Sequence, residues 1–97
     1  MSRYGRGAAR FPIGKPVITP AAQAALDATG ISAVLLLARH VNGDWGDLSV
    51  EGLAANELAV LTGKRLLSSY AMPGGRKVWI VPEADRSTTT ILLPDEY

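Results

Sequence analysis

The stretch RLLSSYAMPGGRKVWIV, residues 65–81, decides the fold. Residues 65–72 and 76–81 alternate in polarity as strands do, and Pro73-Gly74-Gly75 between them supplies the residues that a tight hairpin turn needs. After a second turn, residues 82–87, the run 88–93 (TTTILL) is rich in β-branched side chains. Toward the N-terminus the texture is helical. Thr19 is a good N-cap, Pro20 suits a first helical position, and Gly30 stops the alanine-rich stretch 20–29. Ser32 can cap a second helix over residues 33–41, ended by Asn42-Gly43. A buried strand is the rival for its continuous apolar run 33–38, which periodicity cannot decide; its length and its leucine and alanine content favour a helix. Ser49 can cap a third helix, in which Val50, Leu53, Ala54, Leu58 and Leu61 keep helical spacing, with Gly63 as its end. Residues 11–18, with Pro12, Gly14 and Pro16, read as an extended entry or edge strand, where proline is tolerated. The expected class is α+β: two to three N-terminal helices packed by their apolar faces on one side of a three- or four-stranded antiparallel meander.

The 97 residues suit one domain with a single core, here residues 11–97 behind a basic arm, residues 1–10. The apolar fraction of 47% with 20% charged residues is a globular balance. Cysteine is absent, which excludes disulfides, thiolate zinc sites and thiol nucleophiles and fits a cytoplasmic protein; the single histidine, His40, excludes an intrachain two-histidine metal site. No apolar run approaches the ~20 residues of a membrane span, and no apolar stretch follows the N-terminal arginines as in a secretory signal. No phosphate-binding loop, nucleophile elbow or dinucleotide fingerprint occurs, so no cofactor and no resident metal are expected. The net charge of +1 conceals a split: Arg3, Arg6, Arg10 and Lys15 are basic, and the remainder is mildly acidic. The arm can touch phosphates, although a solvated terminus is the simpler reading.

Strand alternation assigns faces. If Val78, Ile80, Ile91 and Leu93 face the helices, then Lys77, Trp79, Thr88 and Thr90 share the outer face, and Ser68 and Tyr70 alternate together on a side the sequence leaves open. With Tyr70 outward, Tyr70, Lys77, Trp79, Thr88 and Thr90 form a polar and aromatic platform. Such a platform would stack the bases of RNA or DNA, or bury against a protein partner or a second copy.

His40, near the end of the second helix, can act as the general base of a metal-free ribonuclease, with Arg65, Tyr70, Arg86 and Thr90 positioning phosphate. The simpler reading is a histidine at a helix C-terminus that bonds a carbonyl or Asp44. Asp44 and Asp47 are spaced for a cation but offer few ligands, so capping by Asp47 or Ser49 explains them more simply, with Trp45 as a core plug. Arg86, in the turn Glu83-Ala84-Asp85-Arg86, reads either as a phosphate clamp or as the partner of its acidic neighbours.

Three stretches carry a family likeness: residues 38–47 (ARHVNGDWGD), residues 65–70 (RLLSSY) and residues 78–97, whose tail is EADRSTTTILLPDEY. In this order they resemble the short bacterial proteins labelled "plasmid-related" or, by mislabelling, as a subunit of type I restriction enzymes. The likeness covers residues 18–97 and departs at Ser49-Val50-Glu51-Gly52, which is less acidic than the family pattern, and at Val81-Pro82, where isoleucine-threonine is common. It implies a small accessory protein of mobile genetic elements; with the outer-face platform, the expected action is binding of nucleic acid or a protein on that face. The order of helices then meander is also similar to that of the barnase, EndoU, colicin nuclease and RelE ribonucleases, which keeps the ribonuclease as the alternative.

Overall fold

A computed structural model of the chain describes residues 13–62, 66–82 and 87–97; the basic arm 1–10, Gly63, Arg65 and Arg86 lie outside the described residues. Strand β1 (Lys15–Ile18) leads into helices α1 (Pro20–Thr29), α2 (Ala33–Val41) and α3 (Val50–Thr62). Strands β2 (Ser68–Ala71), β3 (Lys77–Pro82) and β4 (Thr88–Leu92) follow, and a single 3-10 turn, Pro94–Glu96, precedes Tyr97.

The helix ends form where the polar residues dictate. Thr19 Oγ1 accepts the Ala22 N–H at 3.1 Å, and Gly30 closes α1 at φ 72°, letting Ile31 N–H reach the Leu26 carbonyl at 3.1 Å. Ser32 caps α2, so the apolar run 33–38 is helical, and Ser49 Oγ accepts the Gly52 N–H at 3.0 Å at the start of α3.

The sheet order is β1-β4-β3-β2. Strands β2, β3 and β4 form the expected antiparallel meander, but β1 pairs parallel to β4, so the sheet is mixed and not purely antiparallel. The reason lies in the connection: all three helices intervene between β1 and β2, which returns the chain to the far edge and leaves the near edge of β4 for β1. Lys15 N–H donates to Ser87 O and Thr19 N–H to Ile91 O, so alternate residues of β1 face β4. Pro16, which has no N–H, falls between them at a position that needs no donor.

Tyr70, Val78, Ile80, Ile91 and Leu93 meet Ala22, Ala25, Leu26 and Leu36 in the main core. A second cluster gathers Trp45, Ala59 and Leu66, with Ile13, Val41, Leu48 and Val60 against it.

Helix α3 reverses the orientation expected of it. Its buried residues are Asn56 and Ala59, while Val50 (78% exposed), Leu58 (60%) and Leu61 (84%) point outward. The Asn56 carboxamide sets this orientation: Nδ2 donates to Leu67 O at 2.6 Å and Oδ1 accepts Leu67 N–H at 3.2 Å. Each such bond contributes about 1 kcal/mol net, but leaving either backbone group buried without a partner costs about 1–3 kcal/mol. Turning the stripe inward would gain about 1.5–3 kcal/mol for each fully buried leucine or valine. The polar anchor alone does not offset that sum.

Asn56→Ala is expected to lower unfolding stability by about 2 kcal/mol in urea titration, because the Leu67 backbone loses both partners at once. A loss within about 0.5 kcal/mol, the range of an ordinary surface substitution, would contradict the anchoring role.

Candidate functional site: a loop strap along the sheet edge and an apolar groove beside it

The 42–49 loop joins α2 to α3 and lies along the edge of β2. Ser69 N–H donates to Trp45 O at 3.0 Å, and Asp47 N–H donates to Ser69 O at 2.6 Å, with Gly46 bridged to Ser69 in parallel register. Gly46 has φ 78°, and a Cβ there would stand 2.2 Å from the Ser69 carbonyl oxygen, so only glycine fits.

The side chains fasten the strap from both sides. Arg39 Nε donates to Asp44 Oδ2 at 2.7 Å and its terminal nitrogen to Oδ1 at 3.3 Å. This shared hydrogen bond raises the Arg39 pKa and lowers that of Asp44. The same guanidinium lies 4.5 Å over the Tyr70 ring, a cation–π contact. Tyr70 is 2% exposed and its hydroxyl donates to the Asp44 carbonyl at 2.6 Å; burial pushes its pKa up to about 12. Trp45 fills the second core and its Nε1 donates to Glu57 at 2.9 Å, while Asp47 is ion-paired with Lys77. The spacing of Asp44 and Asp47 therefore serves two separate ion pairs. Among the described residues no group of three or more histidine or carboxylate side chains is placed to hold a metal ion.

His40 sits inside this arrangement, 0% exposed, with Nδ1 2.5 Å from Ser68 Oγ and its ring edge-on to Trp45 at 5.7 Å. Its Nδ1 partner is Ser68, not the carbonyl or Asp44 of the simpler sequence reading. Of the five residues assembled for the ribonuclease reading, His40 and Tyr70 lie on the core side, and Thr90 pairs with Val81 in the register of the opposite face. Arg65 and Arg86 lie outside the described residues. His40 is fully buried, and Thr90 lies in the register of the opposite sheet face.

The outer face is narrower than the platform expected. Tyr70 and Ser68 pair with Val78 and Ile80 in the core-facing register, which removes Tyr70 from the platform. Lys77, Trp79, Thr88 and Thr90 remain, each half-buried. Lys77 is drawn toward Asp47, and Trp79 is met edge-on by Tyr97 at 5.7 Å. The C-terminal turn that carries Tyr97 is held by the Glu96 carboxylate, which accepts the Leu93 N–H at 2.8 Å and the Thr19 hydroxyl at 2.7 Å. These two bonds, the backbone one first, lower the Glu96 pKa.

Beside Tyr97 lies an apolar groove of about 280 Å³. It is lined by Gly52, Ala55 and Asn56 of α3 with Leu48, and by Leu66, Leu67, Val81 and Tyr97. None of these residues stands out by sequence pattern as a binding residue. Tyr97 follows an ordinary proline turn, and nothing in its neighbours signals that the turn folds back across the sheet. Two basic side chains near this surface, Arg39 and Lys77, are ion-paired with Asp44 and Asp47.

Gly46→Ala is expected to destabilise the fold by about 3 kcal/mol or more, since it combines an unfavourable φ with a backbone collision; calorimetry showing an unchanged melting temperature would contradict the strap. In spectrophotometric titration at alkaline pH, one tyrosine should ionise near pH 12 and vanish from the curve in Tyr70→Phe. The folded state holds this proton more tightly than the unfolded chain does. Its stabilisation is therefore complete below about pH 10, the pKa of a free tyrosine, and declines as pH rises toward the folded value of about 12.

No protein-family model matches this chain, and no curated protein or solved structure matches it either.

Proposed function

We propose that this chain is a non-catalytic binding protein whose ligand is another protein, docked on the outer sheet side with an apolar anchor in the groove beside Tyr97. The observation that carries this reading is the groove itself, an apolar concavity in a part of the surface where hydrogen-bond donors are few. Nucleic-acid binders present unpaired lysine and arginine to phosphate, whereas Lys77, on the outer sheet face, is held by Asp47. A ribonuclease would need His40 within reach of a 2′-hydroxyl, and full burial beside Ser68 and Trp45 opposes that. By its likeness to the plasmid-related proteins, the role is that of a small accessory protein of mobile genetic elements, and its partner a protein of the same cells.

The test replaces Tyr97 by a photo-crosslinking phenylalanine analogue in cells that carry the chain natively. Adducts should be digested by protease, resist nuclease and disappear with Ala55→Arg, which fills the groove from an exposed position. Nuclease-sensitive adducts, or none at all, would contradict a protein ligand at this site. Incubation of the purified protein with RNA in chelator should leave the RNA intact; cleavage abolished by His40→Ala would restore the ribonuclease reading.

A further inference from the structure

The groove uses only the inner flank of α3. On the opposite side of that helix, Val50, Ala54, Leu58 and Leu61 fall within an arc of roughly 80°, diametrically across from Asn56. No charged side chain stands within this stripe; Glu51 and Glu57 flank it on either side, and α3 carries no basic residue. We infer that this stripe is the seam of a homodimer, in which α3 packs antiparallel against α3 of a second copy around a two-fold axis close to Asn56 in the helix sequence.

Three features select a second copy. First, the stripe is self-complementary in shape. With the axis at that height, the small Ala54 of one protomer stands opposite the large Leu58 of the other, and symmetry repeats the knob and hole; Val50 and Leu61 close the two ends. An isologous contact of this kind needs one surface that fits itself. Second, the area suffices. The exposed fractions of Val50, Leu58 and Leu61, with Ala54, leave on the order of 450 Å² of surface per copy, so that pairing buries up to about 900 Å², the size of a weak, reversible interface. Third, the charges disfavour other occupants. Acidic flanks repel nucleic acid and anionic membrane surfaces, whereas interfacial helices carry lysine and arginine at those places; the same flanks meet in the dimer, where solvent screening weakens their repulsion because Glu51 and Glu57 are exposed. The antiparallel arrangement also aligns the two helix dipoles favourably.

The seam lies on the far side of α3 from Gly52 and Ala55, so a dimer would leave both apolar grooves open. The inference is thus independent of what occupies the groove.

Sedimentation of the full chain across a concentration series tests it. A dimer is expected with a dissociation constant on the order of 10 µM, as befits an interface at the lower size limit. Leu58→Lys should weaken it by at least about 100-fold, because each dimer would then bury two lysines against the Ala54 pockets. Position 58 is exposed in the single chain, so circular dichroism should show that this variant folds as the parent does. Leu35→Lys, at an exposed apolar site on α2, should leave the dimer intact. A chain that stays monomeric throughout the series would overturn the proposal, and so would a dimer that survives Leu58→Lys or dissociates equally with Leu35→Lys. The groove reading fails or stands separately, through the Ala55→Arg crosslinking result.

Discussion

Two hydrogen bonds between the Asn56 carboxamide and the backbone of Leu67 decide what the surface of this protein is. They hold α3 with a polar residue inward and its most apolar stripe outward, the reverse of the usual amphipathic arrangement. From that orientation follow both surfaces of interest. The inner flank of the helix faces Val81 and Tyr97 across the groove, and the outer stripe remains uncovered by the rest of the described chain. The free-energy comparison gives this its meaning: apolar burial would outweigh two ordinary hydrogen bonds in an isolated domain, so the outward stripe is best explained by burial against another surface.

The strap formed by residues 42–49 is the second constraint, and it concentrates most of the chemically suggestive side chains. A histidine, a tyrosine, an arginine and two aspartates within a short distance look like a catalytic set. Each has a partner that fastens the strap: Arg39 with Asp44, Tyr70 with the Asp44 carbonyl, His40 with Ser68, Asp47 with Lys77. The buried members, His40, Ser68 and Tyr70, specify the packing between α2 and β2. Gly46 then admits no side chain because the loop approaches β2 as closely as a neighbouring strand would.

Much of the fold was legible because local chemistry determined it. Thr19, Ser32 and Ser49 capped the helices they were expected to cap, and the Pro73-Gly74-Gly75 turn joined the two strands expected on either side. The parallel pairing of β1 was not legible, since register between strands whose partners lie 73 residues apart leaves no local trace. The face taken by Tyr70 was open in the sequence, and only pairing with Val78 fixed it. The orientation of α3 was misread for a different reason. Apolar spacing identifies a helix and its stripe but not whether the stripe is buried by the same chain; in α3 Asn56 lies inward and the stripe outward. The groove was invisible because its residues become neighbours only through the fold-back of Tyr97.

The inward asparagine and outward stripe are open to direct observation by nuclear Overhauser contacts. The account predicts contacts from the Asn56 side-chain amide protons to the backbone of residues 66–68, with the methyls of Leu58 and Leu61 showing none to Leu66 or Val81. Contacts from those leucine methyls to Leu66 or Val81, with the Asn56 amide exposed to water, would mean that α3 packs by its apolar stripe and that neither surface described above exists.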